Sequence, residues 1–241
     1  MKKPPQIKKK NTQEDMLTFF SRITYKTVIF LVLLSVFFLI SFVIYFFVKD
    51  SEKKRFAYSR NATRCSRWMI KAMGVKVKHV GTIPKIHTPF LYVSNHIGFL
   101  DVLVSNSLFP MFFVTSLEMR ETPFLGLLTD FGGCLYVDRK NRSNIHKELE
   151  EMIYFLKSGY QVVLYPEATS SNAEQILPFK RTLLSSAAIA EVPIQPVVFN
   201  VIKVNGEPFS LKWRDHVCWY GEMPFMTSVL RIFSLKESRF S

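Results

Sequence analysis

An uncharged segment from Thr27 to Val48 constrains the fold of this chain more than any other sequence feature. The segment contains neither Gly nor Pro and is rich in Phe, Leu and Val. As an α-helix it would be about 33 Å long, which is enough to cross the hydrocarbon core of a bilayer. It is too long for the core of a signal peptide, and no small-residue cleavage site follows it. The sequence therefore predicts a membrane-embedded helix at residues 27–48, preceded by a basic tail at residues 1–26.

The positive charge of the chain is concentrated around this segment. The formal net charge is +13, and residues 1–80 carry all of the excess because basic and acidic residues balance over residues 81–241. A basic excess is typical of proteins that bind nucleic acid or an anionic membrane. Here the cations flank an uncharged span and do not alternate with aromatic residues on a soluble face, which argues against nucleic acid. We expect anionic membrane lipids as partners.

Residues 49–74 are predicted to form a basic amphipathic helix on the membrane surface. Cations recur at steps of four, three and four, and apolar residues follow the same rhythm on another face. The basic positions are Arg60, Arg64, Arg67 and Lys71, and the apolar ones are Tyr58, Ala62, Cys65, Met69 and Ala72. Such a helix suits anionic headgroups. The alternative is a domain helix with a solvated basic face.

From Val75 onwards, short apolar runs alternate with helical patterns. Strands are predicted near Val75–Val80, Phe90–Val93, Met111–Thr115, Cys134–Val137, Val162–Tyr165 and Ile194–Val201. Helices are predicted near Phe99–Leu108, Thr122–Phe131, Ser143–Lys157 and Phe179–Ala190. This alternation predicts an α/β domain over residues 75–241, with a mostly parallel central sheet flanked by helices and with functional loops at strand ends. Trp213–Phe233 is predicted to form a further strand and helix, and the polar end of the chain leaves open whether a last strand is present.

A histidine and an aspartate five residues apart follow the second predicted strand. Five residues turn through about 140° on a helix, so the two side chains cannot share a helix face. We therefore expect His96 in a turn, Gly98 as its flexible joint, and Asp101 in the first turn of the next helix. The helix N-terminus would favour the charged carboxylate, which would accept from one imidazole nitrogen while the other acts as a base. No obvious protein nucleophile stands beside this pair, so the substrate would have to supply one.

The cysteines carry little functional signal. Cys65, Cys134 and Cys218 are odd in number and widely spaced, which argues against a disulfide framework or a zinc site and fits a reduced, cytosol-facing protein. The sequence shows no clustered metal ligands and no glycine-rich nucleotide loop. We therefore expect no metal and no bound cofactor.

Four sequence blocks follow one another in a recognisable order. They are Asn95–Asp101, Gly132–Arg139, Leu164–Ser171 and Val192–Val197. In this order and at these separations they resemble the blocks of the glycerolipid acyltransferase family, which contains bacterial lysophosphatidic acid acyltransferases. The resemblance extends from about Val75 to Glu222. It implies transfer of a fatty acyl chain from acyl-CoA or acyl carrier protein, as co-substrate, to the free hydroxyl of a lysophospholipid, most simply 1-acylglycerol 3-phosphate, giving phosphatidic acid.

The resemblance also assigns roles to individual residues. His96 and Asp101 would be the catalytic pair, acting by general-base catalysis without an acyl-enzyme. The acceptor and its phosphate would be bound by Arg139, Glu167, Ala168, Thr169 and Lys180, and the acyl end of the site would be lined by Asn95, Pro193 and Ile194. The alternative for Arg139 is a surface ion pair with Asp138 or with an acid of the following helix, and for Lys180 a solvated charge.

Two positions depart from the family pattern in a way that affects the acceptor. Ala168 stands where Gly is expected, and Ser170 stands where many members carry a phosphate-binding Arg. The alternative acceptors are glycerol 3-phosphate, a lysophosphatidylcholine-like lipid and a lyso-ornithine lipid. A catalytically inactive lipid-binding protein with the same fold is the remaining alternative.

The sequence also predicts where the protein lies. The basic flank after the uncharged segment is larger than the one before it, which places the catalytic domain on the cytoplasmic face of the membrane. Whether the N-terminal helix spans the bilayer or enters one leaflet stays open.

Overall fold

A computed structural model gives the structure of the chain and describes residues 16–82 and 88–241. The first 15 residues of the predicted basic tail lie outside the described residues, as do residues 83–87. The helices are α1 Met16–Phe47, α2 Ser51–Ala72, α3 Phe99–Leu108, α4 Leu117–Glu121, α5 Leu125–Asp130, α6 Ile145–Lys157, α7 Ser185–Ala190, α8 Leu211–Val217 and α9 Phe225–Ser234. The strands are β1 Val75–Val77, β2 Leu91–Ser94, β3 Phe112–Ser116, β4 Leu135–Val137, β5 Val162–Leu164, β6 Ile194–Val197, β7 Val201–Val204, β8 Glu207–Pro208 and β9 Ser238–Phe240.

Helix α1 contains the uncharged segment up to Phe47 and begins earlier, at Met16, because no Gly or Pro interrupts residues 16–26. By length and composition it is able to cross a membrane. Near its start, the buried Lys26 ammonium donates to backbone carbonyls at the C-terminal ends of α2 and α9, at 2.7 Å each. A cation there satisfies carbonyls that have no partner within their helices. This contact fixes α1 to the rest of the protein.

The two faces of α1 differ in their surroundings. One stripe, which includes Phe30, Leu34 and Phe37, is buried against the protein. The opposite face exposes large apolar side chains, among them Leu39 and Phe46 at 66% and 61% exposure. So large an exposed apolar surface is typical of a helix that contacts lipid.

Helix α2 has the basic face predicted for it, but its apolar face is not free. Arg60, Arg64 and Lys71 are exposed, whereas Tyr58 and Met69 are buried in the main apolar core of the protein. This face packs on protein, and the exposed apolar surface belongs to α1. The location of α2 at the membrane surface stays a prediction.

The main sheet is parallel throughout and has the strand order β4-β3-β5-β2-β6. Strands β2 and β5 lie in its interior, with Leu91, Val162 and Val163 fully buried. Apolar clusters cover both faces of these strands, as a parallel sheet requires. The predicted α/β class, with a mostly parallel sheet, flanking helices and an apolar N-terminal helix, is confirmed.

A second, smaller sheet has the order β1-β9-β7-β8. The predicted strand Ile194–Val201 is divided between the two sheets, since β6 ends at Val197 and β7 begins at Val201. The strand expected from Trp213 is instead helix α8, in which a helical turn brings Trp213 and the buried Val217 onto one face. Residues 238–240 form β9, which pairs with β1 and β7.

Candidate active site

The predicted histidine and aspartate meet at the carboxyl end of β2. Strand β2 ends at Ser94, His96 lies in the following turn, and α3 begins at Phe99 with Asp101 in its first turn. The Nδ1 atom of His96 lies 3.0 Å from each carboxylate oxygen of Asp101. This is the arrangement that the five-residue spacing predicts.

Asp101 is completely buried and fully engaged in hydrogen bonds. Besides the imidazole, its Oδ2 atom accepts from the backbone N–H groups of Ile97 and Gly98. A buried carboxylate without such donors would be strongly destabilising. These bonds fix the carboxylate and, through it, the orientation of the imidazole.

Gly98 is needed at the joint between the turn and α3. Its φ of +144° is one that L side chains rarely adopt, and an added Cβ atom would lie 2.8 Å from the backbone nitrogen of Trp219. The same nitrogen donates to Ile97 at 2.8 Å. The segment around Trp219 therefore packs directly on the turn that carries His96.

The imidazole of His96 is stacked on the ring of Tyr165, with ring centroids 4.3 Å apart and planes 21° apart. The side chain of His96 is 20% exposed, and its Nε2 atom has no hydrogen-bond partner among the residues that the structure describes. Nε2 is therefore the nitrogen available to a ligand. The importance of Tyr165 was missed from the sequence, although an aromatic residue directly before Pro166 was a usable signal.

Glu167 holds the loop after β5 against the turn after β2. Its carboxylate oxygens accept from the backbone N–H groups of His96 and Leu177, at 2.9 Å each, and the side chain is buried. The N–H of Ser171 also donates to the carbonyl of His96, at 2.8 Å. Both oxygens of Glu167 therefore help to position the His96 turn. Its role in acceptor binding stays a prediction.

The other predicted acceptor residues lie on the same loop but are less enclosed. Ala168 has a φ of +57°, a left-handed conformation that costs about 1–2 kcal/mol in a residue other than Gly. Thr169 and Lys180 are exposed. Lys180 was expected to begin a helix, but the next helical turn starts only at Thr182. The backbone N–H of Lys180 instead donates to the carbonyl of Pro166, at 2.8 Å, and closes the loop.

Arg139 follows β4 at the same edge of the sheet as His96, but β3 and β5 lie between β4 and β2. Three strand spacings correspond to about 14 Å. Arg139 is exposed and forms no ion pair within the described residues. The alternative pairing with Asp138 is not formed, since that carboxylate accepts from the turn that follows it.

The predicted acyl-site residues separate into two places. Asn95 lies beside His96 and forms two hydrogen bonds with the backbone of Phe199, at 2.8 and 3.1 Å. Pro193 and Ile194 are exposed at the start of β6, where Ile194 is paired with Leu91 at the start of β2. Because the strands are parallel, these two residues lie at the opposite end of the sheet from His96. Their role in lining the acyl end of the site stays a prediction.

A polar cavity of about 240 Å³ opens beside Asn95. Phe199 and Glu174 contribute to its wall, and no Lys or Arg does so among the described residues. Because the Glu174 carboxylate pairs with Arg214 at 3.1 Å, the cavity offers hydrogen-bonding groups to an uncharged polar ligand, and its composition does not favour an anion.

Cys218 is the cysteine whose pKa is affected by the charge of Asp101. Burial raises the pKa of its thiol to about 12, with a further contribution from the charge of Asp101. A thiol in this state is a poor nucleophile. Within the described residues, no group of His, Cys, Asp and Glu side chains is arranged to hold a metal ion.

Comparison with known proteins defines the class. The model of the family named Acyltransferase matches residues 74–200, more than half of the chain, and the chain belongs to this family.

The relatives differ in their acceptors. The lyso-ornithine lipid O-acyltransferase of Brucella abortus is 29% identical over 177 residues, covering 68% of this chain and 65% of its own. The 1-acyl-sn-glycerol-3-phosphate acyltransferase of Neisseria meningitidis is 24% identical over 179 residues, covering 74% and 68%. The chain therefore spans slightly less than two thirds of the length of the first of these relatives.

The fold also matches a solved structure, that of the 1-acyl-sn-glycerophosphate acyltransferase from Thermotoga maritima. The TM-score is 0.56 at 24% identity, with 77% of this chain and 76% of the other covered. At this identity the likeness shows the fold alone.

Proposed function

We propose that this chain is an O-acyltransferase that moves a fatty acyl chain from acyl-CoA or acyl carrier protein to the free hydroxyl of a lysolipid. The observation that carries the proposal is the His96–Asp101 pair, with Nδ1 held at 3.0 Å and Nε2 left for a ligand. Membership of the Acyltransferase family supports the reaction class.

The geometry supports a direct transfer. Nε2 of His96 takes the proton of the acceptor hydroxyl as its oxygen attacks the thioester carbonyl. Asp101 holds the Nδ1–H tautomer and stabilises the imidazolium that forms. The C–O bond forms, the C–S bond breaks, and the imidazolium returns its proton to the departing thiolate.

Within the described residues, neither Cys218 nor Ser171 is suited to form an acyl-enzyme. The thiol of Cys218 is protonated and buried. The hydroxyl of Ser171 donates to the carbonyl of His96 at 3.1 Å. The substrate hydroxyl therefore supplies the nucleophile.

The acceptor that fits these surroundings best is a lyso-ornithine lipid, whose headgroup carries no phosphate. Ser170 replaces the Arg expected for phosphate binding, and no cation lines the cavity beside Asn95 among the described residues. The Brucella relative is named for this acceptor. The acceptor expected first from the sequence, 1-acylglycerol 3-phosphate, is the second candidate, supported by Arg139 and by the Neisseria relative.

The lipid acceptor places the reaction at a membrane. The exposed apolar face of α1 and the basic face of α2 support attachment to anionic lipids. We place the catalytic domain on the cytoplasmic face, in agreement with the larger basic flank after residue 48.

The test supplies the purified full chain with labelled acyl-CoA or acyl carrier protein and with each acceptor in turn. We expect transfer to lyso-ornithine lipid, and we expect His96→Ala to reduce it by at least about a thousandfold. His146→Ala is the matched control, since His146 is exposed on α6, and it should retain full activity.

Two results would contradict the proposal. Full transfer by His96→Ala, or a trapped acylated side chain, would exclude direct general-base catalysis by His96. Lysolipid binding without transfer from either donor would instead support the inactive lipid-binding alternative.

A further inference from the structure

A second cavity, of about 490 Å³, lies where α1 ends and α2 begins, against α5 and β4. It contains none of the residues assigned above to acyl transfer. Its lining residues are Phe42, Tyr45, Lys49, Ser51, Lys54, Arg55, Tyr58, Arg120, Leu127, Asp130, Phe131, Gly133, Cys134 and Tyr136.

The polar part of this lining is strongly positive. Arg55 pairs with Glu151 at 2.7 Å, and Arg120 pairs with Asp130 at 3.1 Å. Lys49 and Lys54 form no salt bridge with the described residues. These two ammonium groups therefore leave a positive charge that a bound anion can neutralise.

The remaining wall is apolar and continues the exposed face of α1. Phe42, Tyr45 and Leu127 remain 47%, 54% and 51% exposed. The ammonium of Lys54 lies 5.1 Å from the ring centroid of Tyr45, so cation and apolar wall are adjacent. A ligand that covers both must join an anionic group to a hydrocarbon part.

The position of the cavity identifies the source of such a ligand. Phe42 and Tyr45 belong to the C-terminal end of α1, whose outer face is apolar and exposed. Lys49 lies two residues after the end of this helix. Cations at the end of a membrane helix lie at headgroup level. A membrane phospholipid would reach this cavity without leaving the bilayer.

We infer that this cavity binds one anionic phospholipid of the membrane. Its phosphate lies between Lys49 and Lys54, and the first part of an acyl chain covers Phe42, Tyr45 and Leu127. This lipid is a bound ligand that fixes the α1–α2 turn at the membrane surface, and it is separate from the acceptor of the transfer reaction.

The test measures lipid retention by the purified full chain in a non-ionic detergent, using native mass spectrometry. Phosphatidylglycerol and phosphatidylcholine with identical acyl chains are the probes. We expect one phosphatidylglycerol to be retained in preference to phosphatidylcholine. The double variant Lys49→Gln/Lys54→Gln should weaken its apparent affinity by at least about tenfold.

The control is Lys147→Gln/Lys157→Gln, which removes the same charge from exposed positions of α6 that do not line the cavity. It should stay within about twofold of the unsubstituted chain. Equal losses in the two double variants would show diffuse attraction and overturn the inference, as would equal retention of both lipids.

A water-soluble competitor tests the contribution of the apolar wall. Glycerol 3-phosphate should displace phosphatidylglycerol at least about a hundredfold less well than a short-chain phosphatidylglycerol. Equal displacement by the two competitors would show that the cavity binds only the anionic group, and it would overturn the lipid assignment. Because the readout is binding, lipid retention and acyl transfer can fail independently of each other.

Discussion

The two halves of the carboxyl edge of the main sheet differ in how firmly their polar side chains are held. After β2 and β5, the carboxylates of Asp101 and Glu167 are buried and accept backbone N–H groups of the His96 turn. After β4, Arg139 is exposed and forms no ion pair within the described residues. In the first half, the carboxylates have their hydrogen-bond partners without substrate. In the second half, the guanidinium of Arg139 is available to a ligand.

We propose that this difference separates the chemistry of the site from its selectivity for acceptors. Groups that are fixed before substrate binds need no reorganisation during the reaction, which is where electrostatic catalysis is most effective. A long exposed Arg can contact a headgroup that carries a phosphate and leave other headgroups uncontacted. We therefore expect substitutions in the first half to change turnover for every acceptor, and those in the second to change it for particular acceptors.

The largest effect is expected for Asp101→Asn. An amide has one acceptor oxygen in place of two, so it cannot accept both the imidazole N–H and the backbone N–H groups. The Nδ1–H tautomer and the orientation of His96 would no longer be fixed. We expect kcat to fall by about a thousandfold to ten-thousandfold, with KM for the acceptor almost unchanged. Steady-state kinetics with two acceptors check this, and a thermal melt confirms that the variant is folded. If kcat fell for only one of the two acceptors, Asp101 would contribute to selectivity, and the proposed difference between the two halves of the sheet edge would be wrong.

A smaller effect is expected at Tyr165, whose ring is stacked on the imidazole at 4.3 Å. Tyr165→Leu removes the stacking partner while keeping the position apolar, and kcat should fall by about threefold to tenfold. Tyr165→Phe retains the ring and should restore kcat to near that of the unsubstituted chain. If Phe and Leu were equally impaired, the phenolic hydroxyl and not the ring would position His96.

The sequence predicted the geometry of the His96–Asp101 half well because that geometry is local. Helix α3 has the predicted bounds, and the spacing of His96 and Asp101, together with Gly98, determines that the two side chains meet across a turn. The roles of these residues remain predictions. The parts that sequence reasoning misplaced depend on distant pairing.

Two positions illustrate the limit. Ile194 was expected to line the acyl end of the site, and the parallel register that pairs it with Leu91, at the end of β2 away from His96, was not predicted. Lys180 was expected at a helix start, but its N–H donates to Pro166 and closes the loop around Glu167. Neither the register nor the loop closure is encoded in local periodicity, because each depends on which strands become neighbours.

The smallest effect is expected for Arg139→Ala with the proposed acceptor, and it gives the sharpest test of the comparison. Lyso-ornithine lipid has no phosphate, so KM should change by less than about threefold, within the range of an exposed charge. With 1-acylglycerol 3-phosphate, losing a guanidinium–phosphate contact should raise KM by about tenfold or more. The control is Lys140→Ala, since Lys140 is the neighbouring exposed cation and its 3.9 Å pairing with Glu118 is weak. If Arg139→Ala impaired both acceptors equally, Arg139 would contribute to the fixed half of the site, and the division between chemistry and selectivity would be wrong.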